Sequence, residues 1–237
     1  AGVISAVTGI EVSPEIPPRG SKASFLAGAC NGATNATDSS KYVTACLNFG
    51  GTQDRCSALS SLDCTANGGN AAIACTAISQ LMNIPYSREK RAAPTNPNPQ
   101  FLDCSALVGM AIYRTFGLDL HGMCSVNYKN NVNFELIDIH SIQPGDLLGI
   151  GTVCTGAGGT GHISVVANYD PATKKLITVE SSSTKYPSGF RGVGGPNGYR
   201  VGMKDDRTGN YEWAVRYVGP KVLQAYIDPN VPQTGAL

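Results

Sequence analysis

Apolar residues recur at helical spacing in two stretches of the first half of the chain. The first stretch follows the i, i+3, i+4, i+7 pattern of one helix face, with Ala74, Ala77, Ile78 and Leu81. Asn70 is placed to cap the start of this helix, and Pro85 is placed to stop it. We therefore predict a helix that begins near Asn70 and ends before Pro85.

The second helical stretch begins beside a cysteine. Its repeating positions are Leu107, Val108, Ala111, Ile112, Thr115 and Phe116. Asp103 is the expected N-cap, and Gly117 is the expected terminator. Cys104 is consequently predicted to lie in the first turn of a helix.

The second half of the chain has the β-branched content and alternation of strands. A Pro-Gly turn leads into residues 146–150, and residues 162–169 are strand-like. Residues 170–174 are predicted to form a hairpin loop, from which the chain returns as residues 176–180. The last predicted strand places on one face Tyr211, Trp213, Val215 and Tyr217. Helices followed by antiparallel strands imply the α+β fold class.

The charge balance excludes two classes of partner. Lys and Arg total 18, Asp and Glu total 17, and the two signs are evenly mixed over 237 residues. Nucleic-acid binding requires a basic patch, so we expect no nucleic-acid partner. The longest apolar stretches, residues 1–10 and 71–82, are shorter than the ~18–20 residues that a membrane span needs. We therefore expect no membrane span.

Cysteine usage predicts an exported protein. The chain has eight cysteines and no Cys-x-x-Cys pair, which favours disulfides over a zinc site. It starts at Ala1 without an initiator methionine, as expected after removal of a signal peptide or after trimming. We predict a secreted, extracellular protein.

Composition divides the chain into three parts. Residues 1–69 combine a flexible leader containing Pro and Gly with a small-residue segment, whose cysteines are Cys30, Cys46, Cys56 and Cys64. Short apolar runs offer this extension little core, so cross-links are expected to hold it together. Residues 70–220 contain the predicted helices and strands, and residues 221–237 form a C-terminal tail.

Cys104 is the strongest candidate for chemistry. Backbone N–H groups and the dipole at a helix N-terminus favour the thiolate, which is the nucleophilic form of cysteine. The alternative is that Cys104 is half of a disulfide, as expected for most cysteines in such a chain. Parity leaves both alternatives open: without Cys104 seven cysteines remain and cannot all pair within one chain, whereas with it all eight can pair.

His162 is the candidate for the base that a cysteine nucleophile needs within hydrogen-bond reach. The chain has three histidines, and two of them, His121 and His140, lie in polar, loop-like neighbourhoods where solvation is expected. His162 instead opens a strand after a Gly-rich segment, where another element can come close to its ring.

Glu180 is the candidate that orients His162. If the numbers of paired residues in the hairpin sum to 342 or 344, Glu180 shares a face with His162, roughly 5–8 Å away at Cβ. An odd sum would separate the two side chains. A carboxylate at this position would accept a hydrogen bond from the imidazole and fix its tautomer. The alternative is a surface charge at a strand end.

Four short motifs in this order resemble those of the NlpC family of cell-wall cysteine peptidases. Residues 83–86 (Asn-Ile-Pro-Tyr) are similar to the family's Pro-Tyr at a helix end, and residues 103–108 (Asp-Cys-Ser-Ala-Leu-Val) to its nucleophile motif, Asp-Cys-Ser-Gly-Leu-Val. Residues 142–147 (Ile-Gln-Pro-Gly-Asp-Leu) resemble its Leu-x-Pro-Gly-Asp-Leu turn, and residues 161–163 (Gly-His-Ile) its histidine strand. The resemblance covers roughly residues 70–220, and Glu180 falls where the family places a third polar residue, usually His but Glu in some members.

The resemblance implies a compact papain-like fold and a role for each matching residue. Cys104 would attack the scissile carbonyl, and His162 would act as general base and then as general acid. Glu180 would orient His162, while Tyr86 and the Cys104 backbone amide would stabilise the oxyanion. Asp103 and Ser105 would line and support the site.

The resemblance also implies a substrate. The family usually cleaves the D-γ-glutamyl–diamino-acid bond of peptidoglycan stem peptides through a thioester intermediate, which implies action at a cell wall. It implies no metal or organic cofactor. Outside the four motifs, Cys124 and Cys154 are placed to pair near the catalytic face, some of the cysteines at 30–75 would staple the extension, and one cysteine would stay free or pair with another chain.

Two departures from the family pattern border the expected substrate groove. The basic, Pro- and Asn-rich segment 87–100 takes the place of an aromatic-Gly-Gly stretch, and Ala106 replaces a glycine. The basic residues either engage stem-peptide carboxylates or form a solvated loop. Two alternative functions use the same scaffold: an amidase or acyltransferase with the same Cys and His, or a secreted wall-binding module without turnover.

Overall fold

The computed structural model describes residues 39–65, 69–120, 123–152, 154, 161–182 and 201–219. The leader up to residue 38 and the predicted tail 221–237 lie outside these ranges, as do Cys30 and His121. The three-part division of the chain stays a prediction.

The helices lie mainly in the first half of the chain, as predicted. They are α1 (Ser40–Asn48), α2 (Gln53–Cys56), α3 (Ala71–Gln80), α4 (Cys104–Phe116) and α5 (Ser125–Lys129), with 3-10 turns at Ser57–Ser61 and Thr208–Asn210. Helix α3 is the helix predicted after Asn70, and α4 is the one predicted beside the cysteine.

The ends of these two helices test the capping predictions. Asp103 Oδ1 accepts a hydrogen bond from the Ala106 amide at 2.7 Å, and Gly117 ends α4 in the left-handed conformation with φ 74°. Both predictions for α4 are confirmed. The prediction that Asn70 caps α3 is wrong: its side chain makes no cap bond but donates through Nδ2 to the Tyr217 carbonyl at 2.9 Å.

The strands form one antiparallel sheet of six. They are β1 (Phe134–Ile137), β2 (Leu147–Ile150), β3 (His162–Asp170), β4 (Lys175–Ser181), β5 (Val201–Arg207) and β6 (Trp213–Tyr217). Their order across the sheet is β1-β6-β2-β3-β4-β5, and every neighbouring pair is antiparallel. The predicted α+β class is confirmed.

The helices cover one face of the sheet. The main core joins α3 and α4 to inward-facing residues of the strands, among them Ile163, Val165, Ile177, Val179 and Val215. A smaller apolar cluster lies on the other face and includes Leu148, Val166, Leu176 and Tyr211. The prediction that Tyr211 shares a face with Trp213, Val215 and Tyr217 is therefore wrong, because Tyr211 precedes the strand and packs on the opposite face.

The helices before residue 70 contribute to the main core. Leu59, Cys46 and Cys56 are fully buried within it. Disulfides join Cys46 to Cys56 and Cys64 to Cys75, and the second of them links this segment to α3. Cross-linking of this part of the chain is thus confirmed, and packing supplements it.

The turn before β2 explains one glycine of the Pro-Gly-Asp motif. Gly145 has φ 89°, and a Cβ atom there would collide with the carbonyl of Asn70. The next residue, Asp146, is fully buried and forms an ion pair with Arg216, whose Nη2 lies 2.8 Å from Asp146 Oδ2. The motif thus holds the start of β2 against the beginning of α3 and against β6.

Candidate active site

The start of α4 presents the candidate nucleophile. Cys104 is the first residue of the helix, its side chain is partly buried, and it is the free cysteine of the described residues. Backbone N–H groups of a helix's first turn carry a partial positive charge. The alternative in which Cys104 is half of a disulfide is therefore not what the structure shows.

The hairpin of β3 and β4 brings His162 and Glu180 together. Val165 pairs with Val179 and Val166 with Thr178, so the numbers of paired residues sum to 344 at this end of the hairpin. A bulge shifts the register only beyond Val166, away from the site. The two candidates thus share a face, and His162 Nε2 lies 2.9 Å from Glu180 Oε2.

Glu180 is not the surface charge that its strand-end position also allowed. It is 1% exposed, whereas the His162 side chain is 20% exposed. The carboxylate is therefore placed to hold the ring from inside the protein. With Nε2 engaged by Glu180, Nδ1 is the ring nitrogen that remains to face the thiol.

His162 also forms a side-chain hydrogen bond with Cys104. Burial alone lowers the pKa of the imidazole, but the hydrogen bonds to Cys104 and Glu180, together with their negative charges, outweigh burial and raise the pKa of His162 to about 10. The ring consequently carries a proton at neutral pH. A protonated imidazole in contact with a thiol favours the thiolate.

Tyr86 lies beside the start of α4. Its segment pairs with Leu102, since the Leu102 amide donates to the Pro85 carbonyl at 2.9 Å and the Ser87 amide donates to the Leu102 carbonyl at 3.3 Å. This bridge holds Tyr86 beside Leu102, which is two residues before Cys104 in the chain. The Tyr86 hydroxyl accepts a hydrogen bond from Arg88 Nε at 2.8 Å, so its own proton is directed elsewhere.

Asp103 and Ser105, on either side of Cys104 in the chain, hold its backbone in place. Asp103 Oδ1 accepts from the Ser105 hydroxyl at 3.0 Å as well as from the Ala106 amide. The Ser105 carbonyl accepts from the hydroxyl of Tyr128, which is fully buried. Both residues are buried, which suits them to fixing the backbone at Cys104.

Two arginines of the basic run, Arg88 and Arg91, contact candidate site residues that the sequence did not pair them with. Arg91 Nη1 donates to Asp103 Oδ2 at 3.0 Å and to Ser105 Oγ at 3.2 Å, while Arg88 bonds Tyr86. Both arginines stay exposed to solvent while they make these bonds. Their place in the loop that follows the Pro-Tyr motif is the signal in the sequence for a contact with this part of the protein.

Helix α5 closes the side of the site before His162. A Cβ atom on Gly161 would collide with the Ser125 hydroxyl, so the glycine allows α5 to approach the start of β3. A disulfide joins Cys124 to Cys154 and ties this helix to the segment after β2. The predicted pairing of these two cysteines is confirmed. His140 is exposed in the loop after β1, away from these residues.

The arrangement combines a free thiol, an imidazole hydrogen-bonded to it and a buried carboxylate bonded to the imidazole, which are the groups that nucleophilic catalysis by a cysteine requires. Within the described ranges, no group of three or more His, Cys, Asp or Glu side chains is arranged to hold a metal ion. In the same ranges, every helix is too short or too polar to span a bilayer. The side chains of Cys104, His162 and Glu180 are suited to acyl transfer through an intermediate in which the acyl group is bound to the sulfur.

No protein-family model matches this chain, and no curated protein matches its sequence. Among solved structures, the crystal structure of a wild-type endolysin, LysIME-EF1, is similar with a TM-score of 0.43 and 14% identity, over 65% of this chain and 67% of that one. At this distance the likeness assigns the chain neither a family nor a function.

Proposed function

We propose that this protein is a cysteine hydrolase with an NlpC-type, papain-like fold, which cleaves amide bonds of peptidoglycan stem peptides. The observation that carries the proposal is the contact of a free thiol at a helix N-terminus with His162, whose other ring nitrogen lies 2.9 Å from a buried Glu180. A purely structural cysteine has no need of such a partner.

In the proposed reaction, the Cys104 thiolate attacks the scissile carbonyl carbon and forms the C–S bond. The Cys104 amide and the Tyr86 hydroxyl donate to the oxyanion. Protonated His162 gives its proton to the leaving amine as the C–N bond breaks, which leaves a thioester and a neutral imidazole.

Hydrolysis of the thioester reverses these proton transfers. Neutral His162 takes a proton from water, whose oxygen attacks the thioester carbon. The C–S bond then breaks, the carboxylic acid product leaves, and the thiolate–imidazolium pair is restored. Glu180 stays ionised throughout and stabilises the imidazolium at both ends of the cycle.

The substrate assignment rests on the motifs around these residues. The Pro-Tyr, Asp-Cys-Ser, Pro-Gly-Asp and Gly-His-Ile runs resemble those of enzymes that cleave the D-γ-glutamyl–diamino-acid bond. Three disulfides within the described residues fit an oxidising, extracellular setting, as a secreted wall hydrolase requires. Wall stem peptides are the partner that we propose.

Cys104→Ala tests the proposal. The variant should lose muropeptide cleavage while keeping the circular dichroism spectrum and thermal transition of the parent protein, because Cys104 does not belong to a disulfide. Mass spectrometry of the digested muropeptides identifies the bond: cleavage within the stem peptide supports an endopeptidase, and release of the whole stem from the glycan indicates an amidase. Undiminished cleavage by the variant would overturn the proposal.

A further inference from the structure

A chain of buried polar side chains lies on the face of the sheet that carries His162 and Glu180. Ser164 follows His162 by two residues on β3 and is fully buried. Its hydroxyl donates to the Tyr211 hydroxyl at 3.0 Å, and Tyr211 in turn donates to Asp206 Oδ2 on β5 at 2.5 Å. Side chains of β3, β4 and β5 thus form one buried polar cluster beside the candidate active site.

Asp206 fixes the direction of these hydrogen bonds. Its Oδ2 lies 2.8 Å from Lys204 Nζ in an ion pair, and an ionised carboxylate only accepts hydrogen bonds. Tyr211 has a single O–H, which it gives to Asp206, so its oxygen accepts the proton of Ser164. The Ser164 hydroxyl is consequently turned toward Tyr211.

Ser164 is the residue directly opposite Glu180 in the hairpin. The numbers of paired residues at this end of the hairpin sum to 344, which places position 164 opposite position 180. Their exposed fractions are 0% and 1%, so water does not separate them from the cluster. Directly opposite residues have Cβ atoms about 4.5–5.5 Å apart. The Ser164 side chain therefore has two acceptors within reach, the Tyr211 oxygen and the Glu180 carboxylate.

A proton donated to Glu180 would weaken the hold of this carboxylate on His162. Burial lowers the pKa of His162, but the hydrogen bonds and negative charges of Cys104 and Glu180 outweigh burial and raise it. A hydroxyl that donates to the same carboxylate stabilises the negative charge in place of the imidazolium. The pKa of His162 therefore depends on where the Ser164 proton points.

The charged groups around Glu180 keep the proton of Tyr211 in place. Burial and the negative charges of Glu180 and Asp206 raise the pKa of Tyr211 well above its ordinary value. Of the other elements beside the imidazole–carboxylate pair, β5 supplies Lys204, which balances Asp206, and α4 supplies Cys104. Tyr211 is thus a neutral donor to Asp206 at neutral pH.

We propose that Tyr211 is a positioning residue of the candidate active site, which holds the Ser164 hydroxyl away from Glu180 and so reserves this carboxylate for His162. Tyr211 acts through Ser164, and the ion-paired Asp206 is its anchor. The inference rests on the proposed function, since it names a residue that tunes the proposed general acid.

Removal of one hydroxyl tests this role. In Tyr211→Phe the ring stays but the Ser164 proton is released to Glu180, so the alkaline limb of the kcat/KM profile should move to lower pH by about 1 unit, as expected for one hydrogen bond. Ser164→Ala alone should leave the limb in place, because this hydroxyl is bonded to Tyr211 in the parent protein. The double variant should return the limb to its parent position, because no hydroxyl remains to bind Glu180.

Tyr217→Phe is the matched control, since it removes a tyrosine hydroxyl from the main core on the other face of the sheet. It should leave the limb in place. A limb that moves in Tyr211→Phe and is not restored by the added Ser164→Ala would overturn the proposal and assign Tyr211 to the stability of the fold, which urea unfolding measures. An unmoved limb in Tyr211→Phe would also overturn it.

Direct titration of His162 separates this inference from the proposed function. Nitrogen-15 NMR of the imidazole, assigned by comparison with His162→Ala, measures its protonation without turnover. A midpoint that falls in Tyr211→Phe and recovers in the double variant supports the inference even if the parent protein cleaves no muropeptide, a result that would contradict only the hydrolase assignment. Equal midpoints in the parent protein and Tyr211→Phe contradict the inference, even where muropeptides are cleaved.

Discussion

At position 180 a carboxylate that is 1% exposed lies 2.9 Å from a ring nitrogen of His162. Side chains at strand ends are often exposed, but the β3–β4 register directs Glu180 inward, beside the His162 ring. A buried carboxylate requires a hydrogen-bonding or charged partner, and His162 provides it. In turn, the hydrogen bond and the negative charge of Glu180 raise the pKa of His162, so the charge state of the imidazole depends on Glu180.

Glu180→Gln tests this dependence. The pKa of His162 is raised to about 10, above its ordinary value of 6.5, so the imidazolium is lost only as the pH rises through the higher value. Removal of the carboxylate's charge lowers that pKa. We expect the alkaline limb of the kcat/KM profile to move to lower pH and activity to fall by about 10²-fold or more. An alkaline limb that stays in place would contradict the role of Glu180.

The contacts of Arg88 and Arg91 could not be predicted from the sequence. Both stand in a run that has the composition of a solvated loop, yet each bonds a residue of the site. The pairing depends on how the loop folds back on the start of α4, which neither periodicity nor local propensity encodes. The places of Cys104, His162 and Glu180 in the fold could be predicted, because each is fixed by a local signal. These signals are a helix cap, the start of a strand and the pairing parity of a hairpin.

At the scale of elements, helix α4 is held at both ends by local sequence signals. Asp103 caps its start, and Gly117, with φ 74°, ends it. Only the first end adjoins Cys104, the candidate nucleophile. The two ends therefore allow stability and activity to be separated within one helix.

Asp103→Ala and Gly117→Ala form a matched pair. Each should lower the free energy of unfolding by about 1 kcal/mol, the first through the lost cap and the second through a left-handed backbone that alanine disfavours. Asp103→Ala should also lower kcat/KM, because it releases Ser105 and Arg91, whereas Gly117→Ala should not. Urea unfolding and peptide kinetics measure both quantities. Equal activity in the two variants would contradict a supporting role for Asp103.

The sequence pattern predicted α3, α4 and β2–β4, as well as the position of β6. These elements have strong periodicity, caps or β-branched runs, which are local properties. Strand β5 escaped prediction because its charged residues conceal the strand pattern and find partners only in the fold: Lys204 pairs with Asp206 of the same strand, and Asp205 pairs with Arg55 of α2. Strand β1 is four residues long and Leu136 in it is 61% exposed, so it lacks a clear alternation.

On the scale of the whole molecule, the segment before residue 70 is fastened to the sheet as well as to itself. Arg55 Nη2 donates to the Leu176 carbonyl of β4 at 3.1 Å and lies 2.5 Å from Asp205 Oδ1 of β5. Cys46 and Cys56 are fully buried and joined by a disulfide. These contacts make the helices before residue 70 part of the structure that supports β4, the strand of Glu180.

Replacement of both Cys46 and Cys56 by Ala should destabilise the protein. A disulfide that closes a short loop stabilises by about 2–4 kcal/mol. We expect a lower midpoint in urea, with the protein still folded and active in the absence of denaturant, since neither sulfur adjoins the site. Arg55→Gln leaves the disulfide intact but removes the pair with Asp205 and the bond to the Leu176 carbonyl, and it should cost about 1–3 kcal/mol. An unchanged midpoint in the double variant would contradict the structural role of this disulfide.

The most direct test of the central claim measures the reactivity of one sulfur. Unreduced protein is treated with iodoacetamide at pH 6, and the labelled cysteine is mapped by mass spectrometry in the parent protein and in His162→Ala. A free thiol held as a thiolate by a protonated imidazole should be alkylated at Cys104 in the parent and much more slowly in the variant. Absence of label at Cys104, or equal rates in the two proteins, would contradict the account.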